Sequence, residues 1–194
     1  VSGKSTQILL VEDNAGDARL LRELLAEAGA DRFTLTHVDR LAKGISSVQG
    51  GGIEIVLLDL SLPDSQGFAT LIAMHKIAMG IPIVVMTSLE DEALGLQLIQ
   101  EGAQDYLVKG QVTGPLLQRS LRYALERARM ARDLRDKTVF LRSVLDSMAD
   151  GVVMAGKNGE FQVWEPAAPD NVRNRPKGGG TDPWSGQNGF FFLG

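Results

Sequence analysis

Polar and apolar positions fall into two kinds of block. Short apolar runs, rich in β-branched residues, end on a polar residue, and each is followed by a stretch with helical spacing. The clearest run is Ile53-Glu54-Ile55-Val56-Leu57-Leu58, which ends on Asp59 and leads through Leu60, Ser61 and Leu62 to Pro63. It is too short to span a membrane, and it has the make-up of a strand buried on both faces. Pro63 marks the exit from the strand. Upstream, Gln7 to Val11 predict a first strand that ends on Glu12, Asp13 and Asn14. Ala18, Leu21, Leu24, Leu25 and Ala28 share one face of a helix from Ala15 to Ala28, and Gly29 stops it. Phe33 to Val38 alternate as a second strand. Asp39 is placed to cap a short helix through Val48, and Gly50-Gly51-Gly52 is a loop.

Beyond Pro63 the spacing predicts a helix from about Gln66 to Ala78. A strand follows from Ile81 to Thr87, with Pro82 at its start, where a missing donor is tolerated. Glu90 to Gln100 form a helix ended by Gly102. Asp105 to Val108 make a short strand ending at Lys109, and a long helix begins near Thr113. Five strands alternating with five helices predict an α/β fold, a doubly wound five-stranded parallel sheet with helices on both faces. That alternation brings every polar strand exit to one edge: Glu12 and Asp13, Asp59, Thr87 and Lys109. The expected organisation is a disordered start over 1–6, a core over 7–112, a helical extension over 113–148 and a separate segment over 149–194.

Composition narrows the classes. Hydrophobic residues make up 44% of the 194, enough for a conventional core. There is no cysteine, which excludes disulfides, thiol chemistry and cysteine-ligated metals. A net charge of −4 argues against a nucleic-acid surface. No apolar run reaches membrane-spanning length and no signal-peptide core opens the chain, so a cytoplasmic location without membrane partners is expected. Gly3-Lys4-Ser5-Thr6 imitates the end of a phosphate-binding loop but lacks the upstream glycine and strand.

The candidate chemistry sits on the polar edge. Three carboxylates brought together repel one another unless a cation lies between them. Oxygen ligands without His or Cys select a hard ion, with Mg²⁺ the usual one beside phosphate. Thr87 offers a hydroxyl, and Lys109 a point charge, to a phosphoryl oxygen. The set suits phosphoryl transfer onto a carboxylate, with Asp59 as the nucleophile. Each residue also has a plainer role: Glu12 and Asp13 as capping acids, Asp59 as a turn residue, Thr87 as an N-cap, Lys109 as a solvated loop lysine. Their joint placement on one edge favours the site.

Val11-Glu12-Asp13-Asn14, Leu57-Leu58-Asp59-Leu60-Ser61-Leu62-Pro63-Asp64 with Gly67, Val85-Met86-Thr87-Ser88, and Gly102-Ala103-Gln104-Asp105-Tyr106-Leu107-Val108-Lys109 together resemble the motifs of a response-regulator receiver domain, over residues 7 to about 130. The resemblance implies a flavodoxin-like fold and a regulatory phosphoacceptor of a two-component system rather than an enzyme. It implies that Asp59 takes a phosphoryl group from the phosphohistidine of a histidine kinase or phosphotransfer partner. Mg²⁺ would be held by Asp13, Asp59 and the Ser61 backbone carbonyl, with Glu12 helping through water. Thr87 and Tyr106 would form the switch that reports phosphorylation. One departure is Gly110, where many receivers have proline after the lysine. Two alternatives stay open: a phosphorylation-independent binding module, and an aspartyl-phosphate phosphatase. The phosphatase needs a second acid two residues after the nucleophile, where this chain has Ser61. Neither His37 nor His75 is placed as a kinase's own phosphohistidine.

Leu117, Leu121, Ala124, Ala128 and Ala131 continue a helical seam that resumes, after a phase slip, at Leu134, Thr138, Leu141, Leu145 and Met148. It predicts either a two-stranded coiled coil, hence a homodimer through 113–148, or a helix packed on its own domain. The helix is basic, but no second helix or aromatic platform accompanies it for nucleic acid. From Phe140 to Met154, with a turn at Lys157-Asn158-Gly159-Glu160 and a strand Phe161-Gln162-Val163-Trp164, the chain resembles the opening of a PAS sensory domain. Too little follows to close such a fold, so 149–194 is expected to be an incomplete PAS-like segment, with disorder over Asp170–Gly180 and an exposed Phe190-Phe191-Phe192.

Overall fold

A computed structural model describes residues 5–27, 32–88, 92–147, 151–155, 161–164 and 190–193. The chain divides into two units, Val1–Arg132 and Asp133–Gly194. In the first, strand β1 (Thr6–Val11) leads to helix α1 (Ala15–Glu27), then β2 (Phe33–Val38), α2 (Leu41–Gln49) and β3 (Ile55–Asp59). A small hairpin, β4 (Ser61–Leu62) and β5 (Ser65–Gln66), precedes α3 (Phe68–Ile77). Then come β6 (Ile83–Thr87), α4 (Glu92–Gln100), β7 (Asp105–Val108) and α5 (Gly114–Ser147).

The five long strands form one sheet in the order β2-β1-β3-β6-β7, every pair parallel. This is the doubly wound arrangement expected, with strand order reversing between β1 and β3. Strand periodicity explains the two cores. Leu9, Val11, Val56, Leu58, Ile83 and Val85 face one side, packed with Leu41 and Val48 of α2, Leu71 and Met74 of α3, and Leu98 of α4. Ile8, Leu10, Ile55, Leu57, Val84 and Met86 face the other, packed with Leu21 and Leu25 of α1 and Leu117 and Leu121 of α5. Because both faces are covered, β3 is buried along its whole length, Asp59 included. Ile53 and Glu54 precede the strand, although Glu54 N–H still bonds the Gln7 carbonyl at 2.9 Å.

Several local expectations change. Thr6 is not part of a disordered start: its N–H donates to the Arg32 carbonyl at 2.9 Å and it opens β1. Residues 1–4, Ala28 and Gly29, and the predicted start of the fourth helix through Asp91 lie outside the described residues. Asp39 does not cap α2. It pairs instead with Lys43 at 2.6 Å, and Arg40 stands at the N-cap with no side-chain bond. The cap comes from Asp64, whose two carboxylate oxygens accept the Leu41 and Ala42 N–H groups at 2.9 and 3.0 Å. Those donors are the orphans of the first turn, and a negative group suits the helix N-terminus. The helix expected from Gln66 begins at Phe68, because 61–66 fold into the hairpin. Gly67 N–H closes that hairpin on the Leu60 carbonyl at 2.8 Å.

Helix α5 runs unbroken across the boundary between the units. In the second unit, β8 (Gly151–Ala155), β9 (Phe161–Trp164) and β10 (Phe190–Leu193) form an antiparallel sheet in the order β10-β8-β9. The pairing of the 151–155 and 161–164 strands is as expected. The backbone of Phe190-Phe191-Phe192 pairs with β8. The turn at 157–160 and the segment 165–189, with Asp170–Gly180, lie outside the described residues.

Candidate functional site

The carboxyl end of β1 delivers Glu12 and Asp13, and that of β3 delivers Asp59, on either side of the point where strand order reverses. Open α/β sheets bind ligands at such a point. Glu12 is fully buried and Asp13 is exposed, while Asp59 is 4% exposed. One carboxylate oxygen from each lies within 4.8 Å of the others, a spacing that could hold a metal ion. Glu12 Oε2 is buried inside this cluster and its charge is met by the Lys109 ammonium at 2.6 Å, so the acids here depend on a cation. An all-oxygen, anionic donor set of this kind suits a hard divalent cation.

The loop is held rather than slack. Glu12 Oε1 accepts the Asn14 N–H at 3.1 Å. Asn14 Oδ1 accepts the Gly16 and Asp17 N–H groups at 2.8 and 3.3 Å, so Asn14, not Glu12 or Asp13, caps α1. The His37 ring, from β2, bonds the Glu12 carbonyl through Nε2 at 2.8 Å. On β3, Asp59 Oδ1 accepts the Ser61 N–H at 3.2 Å. Burial pushes the Glu12 carboxyl above its ordinary value. Contact with Lys109 and the Asn14 N–H counter that only in part, and the Asp59 charge adds to the rise.

Lys109 closes the site from the end of β7. Its ammonium lies 2.6 Å from Glu12 Oε2, 2.9 Å from Asp59 Oδ2 and 3.1 Å from Asp17 Oδ2. Burial works against that charge, but hydrogen bonding to Glu12, Asp59 and Asp17 outweighs it and holds Lys109 above the ordinary lysine value. Its backbone is tied to Thr87, whose carbonyl accepts the Lys109 N–H at 2.7 Å. Thr87 itself is buried at the end of β6. Gly110 takes a φ of +85°, which proline's ring cannot reach, so the departure from proline after the lysine is written into the backbone.

Glu12, Asp59 and Lys109 are therefore in direct contact, with Asp13 beside them and Thr87 linked through the backbone. Tyr106 is half-buried one residue earlier than Leu107 on β7, and its ring lies over Gly95 of α4. A methyl group at Gly95 would overlap the Tyr106 ring and hydroxyl. Asp17, His37 and Gly95 were not singled out by motif. Asp17 sits in the first turn of α1, where an acid has an ordinary reason to be, and only the fold shows that it also meets Lys109.

A doubly wound parallel domain with an acidic cluster and one half-buried lysine at its switch point defines the class. The model of the response regulator receiver domain matches residues 8–121, and the chain belongs to that family. It is 35% identical over 102 residues to the swarming motility regulation protein RssB of Serratia marcescens, covering 53% of this chain and 45% of that protein. It is 33% identical over 116 residues to the transcriptional regulatory protein CusR of Escherichia coli (strain K12), covering 58% and 48%. The chain thus spans about half the length of the curated relatives it matches. The signal receiver domain of a Luxo repressor protein from Vibrio parahaemolyticus superposes with a TM-score of 0.57 at 26% identity, over 67% of this chain and 97% of that one. Among the described residues, no helix is long and apolar enough to cross a membrane.

Proposed function

We propose that this chain is a phosphorylation-dependent switch of a two-component system, a regulatory phosphoacceptor rather than an enzyme acting on other substrates. Asp59 is the acceptor. The observation that carries this is the contact of a buried strand-end aspartate with a half-buried lysine, 2.9 Å apart, beside two further carboxylates. In the transfer, an Asp59 carboxylate oxygen forms a bond to phosphorus. The bond from phosphorus to the imidazole nitrogen of a histidine kinase or phosphotransfer partner breaks, and that nitrogen keeps the electron pair. Lys109 and the Thr87 hydroxyl receive the phosphoryl oxygens and neutralise their charge. Asp13, Asp59 and the Ser61 carbonyl would hold Mg²⁺, with Glu12 orienting through water, and the ion would supply charge neutralisation between acids and phosphoryl group. Thr87 and Tyr106 are the switch pair.

The output runs along α5. Met130, Leu134, Leu141 and Val144 are exposed at spacings of four, seven and three. Those positions have heptad spacing and support a homodimer through the exposed part of 113–148, beyond Leu117, Leu121 and Ala124, which pack on the sheet of their own domain. The three-stranded antiparallel sheet of the second unit supports its assignment to a PAS-like sensory module. The absence of an acid at Ser61 weighs against the phosphatase, and the intact acid–lysine set against a phosphorylation-independent module.

Intact mass after incubation with acetyl phosphate and Mg²⁺ tests the acceptor. A phosphoryl adduct on the wild type that is lost in Asp59→Asn and in chelator is expected. No adduct on folded protein would transfer weight to the binding-module reading. Sedimentation of the full chain tests the dimer: a monomer at all concentrations would remove it.

A further inference from the structure

We propose that Asp17 is a positioning residue for the phosphoryl transfer, a carboxylate that holds Lys109 in the unphosphorylated state and must release it when Asp59 is phosphorylated. This rests on the phosphoacceptor reading above.

An ammonium has three N–H donors. Lys109 faces three carboxylates: Glu12 at 2.6 Å, Asp59 at 2.9 Å and Asp17 at 3.1 Å. Two of its N–H groups are hydrogen-bonded, to Asp59 and Asp17, and Glu12 lies against its third side as a close ion pair, so the ammonium is fully engaged before any phosphoryl group arrives. A phosphoryl group on Asp59 adds oxygen acceptors and a charge of about −1.5 to −2, which outcompetes a single carboxylate for the same ammonium. One of the existing partners has to yield. Asp59 is the residue modified and stays attached to the group. Glu12 is at 0% exposure, so no water stands ready to replace the lysine there. Asp17 has 39% of its side chain exposed, so water can take over its solvation at little cost. It is also the longest of the three contacts. Asp17 is the partner that lets go.

Two consequences have the same sign. The Asp17–Lys109 pair stabilises the unphosphorylated state, because it is made there and broken afterwards. The Asp17 charge also repels an anionic phosphodonor approaching the edge. Asp17 slows phosphorylation, and the size of the effect follows from a partly exposed pair: removing the charge accelerates the reaction about two- to five-fold.

The test is the rate of adduct formation on the full chain with acetyl phosphate and Mg²⁺, for the wild type, Asp17→Asn, Asp17→Ala and Asp17→Glu, with thermal denaturation to show that each is folded. Asp17→Asn and Asp17→Ala are expected to be faster than the wild type, and Asp17→Glu, which keeps the charge, to return toward the wild-type rate. The gap between Asp17→Asn and the wild type should narrow as salt rises from about 0.01 M to about 1 M, where the screening length falls from about 30 Å to about 3 Å. A purely structural role for Asp17 would show neither the rescue by Glu nor the salt dependence. If the wild type forms the Asp59 adduct and Asp17→Asn is no faster, this proposal fails alone. If the wild type forms no adduct, or Asp59→Asn keeps it, the phosphoacceptor reading fails and takes this proposal with it.

Discussion

Replacing Lys109 with alanine isolates what holds the acidic edge together. Coulomb attraction at 2.9 Å and an effective dielectric near 20 is about 6 kcal/mol for each contact, most of it offset by desolvation and by repulsion among the acids. What matters is what the deletion leaves behind. Glu12 has no exposure and the Asp59 side chain has 6%, so both remain as buried charges without their cation. Breaking a buried pair in this way costs about 3–5 kcal/mol, and the 16% exposure of Lys109 admits enough water to place this site at the lower end, about 3 kcal/mol. Urea denaturation of Lys109→Ala against the wild type, in chelator, reads that loss as a fall in midpoint at constant slope. Mg²⁺ should recover part of it, since an ion that binds only the native state adds RT ln(1 + [L]/Kd). Asp13→Asn should blunt the recovery. A Lys109→Ala variant within about 0.5 kcal/mol of the wild type in chelator would refute the reasoning, because the carboxylates would then not depend on their lysine.

Other expectations follow from contacts outside the acidic cluster. Asp64→Asn should cost about 0.5 kcal/mol, because it removes the negative charge and one of the two acceptor oxygens at the start of α2. The Ala42 N–H bond, joined by that from Leu41, holds the Asp64 carboxyl below its ordinary value of 3.8, so its contribution is present above that pH and lost as pH falls through the lower folded value. Denaturation midpoints of wild type and Asp64→Asn should therefore converge only below about pH 3.8, and a difference persisting in stronger acid would contradict the cap. Gly95→Ala should gain about 1 kcal/mol of helix propensity while its methyl displaces the Tyr106 ring, leaving stability nearly level. Changed Tyr106 ring resonances in NMR are the expected sign, and unchanged ones would place the ring elsewhere.

Much of this protein was legible without coordinates because parallel-sheet proteins write their topology into alternation. Strands covered on both faces must be apolar throughout, so the runs ending at Val11, Leu58 and Met86 declare themselves, the short edge strand ending at Val108 follows from the alternation, and the first polar residue after each declares the edge. Glu12, Asp59, Thr87 and Lys109 could be assigned to one edge on that ground alone. Asp13 came with Glu12 on the same ground, and the family motifs then pointed to Ser61 and Tyr106. Local signals misplaced the caps, because a cap needs only a carboxylate oxygen near free N–H groups, whatever its distance along the chain. Asp39 is the nearer candidate for α2, yet its side chain goes to Lys43 and the hairpin returns Asp64 to the helix start. The sequence by itself determined the strand–helix order, the burial of β3 and the identity of the acid–lysine set. Only the tertiary structure decided that Asp17 shares Lys109, that His37 holds the Glu12 backbone and that Gly95 receives Tyr106. Those pairings join residues whose individual patterns are commonplace, and their meaning comes from packing distances that no one-dimensional period encodes.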